Sequence, residues 1–135
     1  MTLTLKQYDR TTSNGKGARG LSTLTMRLSG RVAISRRAAD VLNVKAGDRL
    51  VLLQDEHEPR DWYIAFGENT GFTTRDNGGH NMVFNAAHAI KDLFASVEHP
   101  GPTGTVLLGE PETVDGRELW PLITARIVQH GYELL

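Results

Sequence analysis

The sequence predicts an α+β, β-rich domain assembled from two diverged strand–helix–strand–strand units. Three observations predict it. Apolar and polar residues alternate with period two in several short runs, helical apolar spacing appears once in each half, and both halves present strands, caps and turns in the same order. With 135 residues, the chain suits a single domain over 1–135 that buries its own core without a disulfide or metal staple.

Residues 1–20 read as an N-terminal strand followed by a flexible basic arm, because TTSNGKGARG over 11–20 holds three glycines, a serine and an asparagine. NGKGARG lacks the GK[ST] ending and strand–loop–helix frame of a P-loop. The first unit spans 24–66. Leu24, Met26 and Leu28 alternate with Thr25 and Arg27, as a half-buried strand requires. Ser29-Gly30 is a turn and Val32-Ala33-Ile34 a second strand. Ser35 is a helix N-cap, since its hydroxyl can accept from a first-turn amide. Ala38, Ala39 and Leu42 follow at helical spacing, and Asn43 ends the helix as a residue that tolerates left-handed backbone. Leu50 to Gln54 is a continuous apolar strand, expected to be buried on both faces. Trp62, Ile64 and Phe66 mark one side of the next.

The second unit spans 72–126. Phe72 to Arg75 and Met82 to Phe84 are strands, and Asn85 is of N-cap type. Ala86, Ala89, Ile90, Leu93 and Phe94 form one helical stripe. HPGPTG breaks it, Thr105 to Leu108 is a strand, EPETVDG a hairpin-like connection, and Arg117 to Arg126 a strand with Pro121 at an edge or bulge. The halves align as Val32 to Ser35 on Met82 to Asn85, and as Gly47 with Leu50 to Leu53 on Gly104 with Val106 to Leu108. Arg60-Asp61-Trp62 falls on Arg117-Glu118-Leu119-Trp120, one residue out of step. The expected core is Ile34, Leu42, Leu50, Leu52, Trp62, Ile64, Phe84, Ile90, Leu93, Val106, Leu108 and Ile123.

Residues 30–50, GRVAISRRAADVLNVKAGDRL, resemble the AbrB/MazE-like (SpoVT-AbrB, swapped-hairpin) family through Gly30-Arg31, Val32, Ile34, Leu42, Val44, Gly47, Asp48 and Leu50. The resemblance covers these residues only, without a gap. It implies a small cradle-loop or double-psi-like β-barrel closed by two interlaced units, and a DNA-binding regulator or antitoxin. Arg31 is the matching Gly-Arg arginine. Ser35 stands where the family prefers proline and Asn43 where it prefers glycine. The family's helical basic pair falls on Ala39 and Asp40, which are not basic.

Charge is distributed unevenly. Residues 1–40 carry Lys6, Arg10, Lys16, Arg19, Arg27, Arg31, Arg36 and Arg37 against Asp9 and Asp40; the remainder carries seven basic and fourteen acidic side chains. A basic segment of this kind suits an anionic partner. The expected nucleic-acid-binding residues are Lys16, Arg19, Arg27, Arg31, Arg36 and Arg37, with DNA ahead of RNA as the partner. The competing reading is a non-enzymatic protein-interaction module, antitoxin-like or an assembly protein.

No catalytic set is expected. There is no cysteine, no HExxH pair and no G-x-S-x-G elbow. Of the five histidines, His88 sits four residues before Asp92 on the predicted helix, a spacing for a surface pair. Asp55, Glu56, Glu58 and Asp61 lack EF-hand spacing and read as a solvated loop. Trp62 and Trp120 read as core, with base stacking as the minor alternative. No cofactor or metal is expected. The N-terminus lacks an apolar signal region and no run is long enough to span a bilayer, so the expectation is a cytoplasmic monomer or homodimer.

Overall fold

The computed structural model describes residues 21–78 and 81–128. The elements are β1 (Thr23–Arg27), β2 (Arg31–Ile34), α1 (Arg36–Leu42), β3 (Arg49–Gln54), β4 (Trp62–Phe66), β5 (Phe72–Thr73), β6 (Arg75–Asp76), β7 (Met82–Asn85), α2 (Ala87–Ser96), β8 (Thr103–Leu108), β9 (Glu112–Val114) and β10 (Arg117–Val128). All pairings are antiparallel, in the order β5-β3-β4-β10-β8-β1-β2-β7-β6, with β9 on β10.

The two ends of that order, β5 and β6, are neighbours in the chain, separated by Thr74 alone. The sheet therefore curls into a nearly closed barrel. Thr74 is buried and forms the seam. Its amide donates to Asp48 O at 2.9 Å, and its carbonyl accepts from Gly47 N at 2.8 Å. Its hydroxyl lies 2.9 Å from Lys45 O and 2.8 Å from Asp48 O, sharing one proton between them. Leu24, Met26, Val32, Ile34, Leu50, Ile64, Phe84 and Val106 fill the interior, joined by Leu42 from α1 and by Ile90, Leu93 and Phe94 from α2.

The barrel corrects the expected class. Among the described residues helix is confined to seven residues in α1 and ten in α2 against a ten-stranded sheet, so the protein is mostly β rather than α+β. Nor are strand–helix–strand–strand repeats its building blocks. Neither half closes a sheet of its own, because β1 pairs β8, β2 pairs β7 and β4 pairs β10. The strand expected over Phe72 to Arg75 is split at Thr74, and β9 has no counterpart between β3 and β4.

Local chemistry explains most elements. Ser35 caps α1 as expected, accepting from Ala38 N at 3.2 Å. It also accepts from Thr23 N at 3.0 Å and donates to Leu21 O, while its own amide donates to Thr23 O. Proline at this position would forfeit that last bond, for lack of an N–H. Asn43 ends α1 at φ 57°. Gly30 closes the β1–β2 turn at φ 120°, and a Cβ there would stand 3.1 Å from the Ala87 side chain. Only glycine suits both the backbone and the approach to α2.

Other expectations fail for identifiable reasons. Asn85 ends β7 and caps nothing; Ala86 occupies the N-cap position of α2 without a side-chain bond. Leu50 is buried, but Val51, Leu52 and Leu53 are half-buried, because one face of β3 lies on the outside of the barrel. Ile123 is 37% exposed. Trp120 and Leu122 point inward, so period two turns Ile123 outward. Glu112–Val114, expected as part of a connection, forms a strand that turns back tightly at Asp115 (φ 53°) and Gly116 (φ 78°).

Candidate functional site

The arginines expected to bind nucleic acid divide into two pairs. In β1, Leu24 and Met26 face the core, which turns Thr25 and Arg27 outward. In β2, Val32 and Ile34 face the core, which turns Arg31 and Ala33 outward. The strands pair Leu24 with Ile34 and Met26 with Val32, and the same register continued brings Arg27 opposite Arg31. On the flanking strands Arg27 pairs with Thr103 and Arg31 with Asn85. The outer end of the barrel thus carries a row Asn85–Arg31–Arg27–Thr103, with two adjacent cations and no carboxylate. The turn between the arginines is pinned. Gly30 N donates to Arg27 O and Leu28 N to Pro102 O, each at 2.8 Å, and Gly30 O accepts from Ala86 N at 2.7 Å.

Arg36 and Arg37 are exposed in the first turn of α1, beyond the opposite end of β2. About 10 Å of strand separates the two pairs at ~3.3 Å per residue. Ser35 already occupies the Ala38 amide of α1. The one ion pair among the described residues joins His88 and Asp92 at 3.5 Å on the exposed face of α2, as their spacing predicts. All four arginines are therefore without an acidic partner among the described residues. Lys16 and Arg19 lie outside those residues.

The acidic loop forms a local turn. Asp55 Oδ1 accepts from His57 N at 2.8 Å and Glu58 N at 3.2 Å, and no metal-holding group of His, Asp or Glu occurs among the described residues. Tyr63 lies beside this loop, in a shallow depression with Asp55 and Glu112. Burial raises its phenol above the ordinary value of 10.0, and the carboxylates of Glu112, Asp61 and Asp55 raise it further.

The tryptophans are core residues, each 5% exposed, so neither offers a face for stacking. Their polar ends differ. Trp62 Nε1 donates to Ser96 Oγ at 2.9 Å, and that hydroxyl donates onward to Leu93 O at 2.7 Å. Trp120 Nε1 is closed off from solvent and has no acceptor. Trp120 also forms part of a depression of about 410 Å³ with Val41, Leu42 and Asn43 at the end of α1, Phe66 at the end of β4, and Arg117 and Glu118 at the start of β10. Phe66 stands edge-on to Trp120 at 6.2 Å, and Arg117 Nη2 donates to Phe66 O at 2.8 Å. The sequence reading placed Trp120 in the core but missed this depression.

No helix among the described residues is long and apolar enough to cross a membrane. Comparison of the chain with family models, with curated proteins and with solved structures finds no match.

Proposed function

We propose that the protein binds nucleic acid, duplex DNA first, through the outer end of the β1–β2 hairpin. The observation that carries this reading is the row Asn85–Arg31–Arg27–Thr103. Like charges opposite one another destabilise a sheet pair, and no carboxylate among the described residues pairs with them. An anionic backbone supplies the missing charge, and amide and hydroxyl side chains beside the arginines are ordinary phosphate contacts. Arg31 is also the arginine that the resemblance to AbrB/MazE-like proteins singles out. Arg36 and Arg37 form a second contact beyond β2, and Lys16 and Arg19 precede β1 in the chain. No base-reading element is assigned.

Fluorescence anisotropy on labelled duplex DNA at a series of salt concentrations tests the proposal. Four neutralised phosphates give a slope of log K against log salt of about −3 to −4. Replacing Arg27 and Arg31 together with alanine should flatten it by about two units, and replacing Arg36 and Arg37 by a similar amount. Absence of binding to duplex DNA, single-stranded DNA and RNA at low salt overturns the proposal and leaves the protein-partner reading in its place.

A further inference from the structure

We propose that Leu28, in the β1–β2 turn, is an apolar wedge that enters a base step of bound duplex DNA and unstacks it. This role rests on the nucleic-acid reading and adds to it an action on the bases, which the arginine row alone does not supply. Leu28 is a residue that its turn does not ask for. Gly30 N donates to Arg27 O at 2.8 Å, so Arg27 to Gly30 form a hydrogen-bonded turn with Leu28 and Ser29 at its centre. Turn centres draw on glycine, proline, asparagine, aspartate and serine, and leucine supplies none of their advantages. Nor does the core claim it. Leu24 and Met26 are fully buried, whereas Leu28, two positions further on, is 43% exposed.

Single exposed leucines are common on folded proteins. This one is set apart by its neighbours and its backing. It follows Arg27 directly, and Arg31 stands opposite Arg27 at the base of the same turn. The other large apolar side chains exposed among the described residues, Val41, Phe66, Val114 and Ile123, lie on α1, β4, β9 and β10. Leu28 N donates to Pro102 O at 2.8 Å, which ties the turn to the connection before β8. Gly30 O accepts from Ala86 N at 2.7 Å, which ties it to the start of α2. One side of the Leu28 side chain leans on the bare backbone of Gly101, with Cδ1 2.9 Å from where a Cβ at that glycine would stand. Pro102, itself exposed, extends the apolar tip. Leucine and proline are among the side chains that proteins insert between base steps, and the lost stacking is offset by contacts to the flanking phosphates. Arg27 and Arg31 are placed to make those contacts.

Fluorescence anisotropy on two duplexes of one sequence, one intact and one with a central mismatched pair, tests the wedge, because a mismatched base costs less to unstack. The full chain should bind the mismatched duplex about tenfold more tightly. Leu28→Ala should bind both duplexes alike and keep the wild-type salt slope on the intact one, since it removes no charge. Leu28→Gln, close to leucine in size but polar, should behave the same way and stands in for Leu28→Ala should that variant fail to fold. Equal affinity of the wild type for the two duplexes, or a preference that survives in the variants, overturns the wedge and leaves the arginine contacts standing. Absence of binding to either duplex at low salt overturns the wedge as well, and the nucleic-acid reading falls with it only if single-stranded DNA and RNA are also refused.

Discussion

Trp62 and Trp120 stand on the adjacent strands β4 and β10, where Trp62 pairs with Leu122 and Trp120 with Ile64, and each is 5% exposed. By burial and by strand position they are equivalent. They differ in the helix that ends nearby. Ser96 terminates α2 within reach of the Trp62 indole, whereas α1 stops at Leu42, and no side chain among the described residues brings an oxygen to the Trp120 indole. Two equally buried aromatic residues can thus have unequal energetics. The apolar ring is satisfied by the core in both cases, and the single N–H is satisfied only at Trp62, where Ser96 accepts it. The helices differ at their starts as well. Ser35 caps α1 through its side chain, and Ala86 leaves α2 uncapped.

The largest effects should come from the buried leucines under the two helices. Leu93→Ala and Leu42→Ala should each cost about 2–5 kcal/mol by chemical denaturation, with Leu93→Ala at the upper end. Surroundings that can collapse lower the cost of a cavity, and Leu42 itself lines a surface depression. Equal costs would show that the depression gives the core no room to relax. Next in size, Ser96→Ala should cost about 1–3 kcal/mol, because it leaves the Trp62 indole as unsatisfied as that of Trp120. A neutral result would break the comparison, since the missing acceptor would then carry no energy.

Ser35→Ala should cost about 0.5–2 kcal/mol, and its effect should be lost first as a fall in α1 helicity. The smallest expected difference is the most direct. Trp62→Phe should cost about 1 kcal/mol more than Trp120→Phe, the net worth of one hydrogen bond, because only the first replacement removes a bond.

Much of the barrel was legible because its inward residues alternate without ambiguity. Leu24 and Met26, Val32 and Ile34, and Trp62 and Ile64 each fix a strand's inner face. Ser35 and Asn43 announced both ends of α1. Sequence pattern failed where the deciding partner is distant. Ile123 is as apolar as Leu122, and its exposure follows from which of the two the pleat of β10 turns into the barrel. Asn85 has the chemistry of a cap, but β7 holds it opposite Arg31. The class was misjudged because short helices contribute strong periodic signals while covering few residues, and because pairings such as β1 with β8 join segments about eighty positions apart.

The arginines show the same limit in another form. Their number and clustering are properties of the chain, and the sequence displays them. Their division into two pairs is a property of β2, which intervenes as an extended strand. The depression at Trp120 was least legible of all, since its lining comes from α1, β4 and β10, which only the fold brings together.

Thr74 has a further consequence. A barrel made by pairing a first strand with a last one is shut by a ladder of hydrogen bonds, which can slip in register or be borrowed by another chain. Here one continuous piece of chain crosses the seam, so the closure cannot slide, and its rungs, Arg49 with Thr73 and Leu50 with Phe72 on one side and Arg75 with Val83 and Asp76 with Met82 on the other, belong to strands only two residues long. The ring is covalently threaded where it is most weakly laddered. Breathing motions should therefore start at the turn Lys45 to Asp48, which clasps Thr74, and reach the amides of β3 and β7 before those of β1, β8 and β10 exchange with solvent.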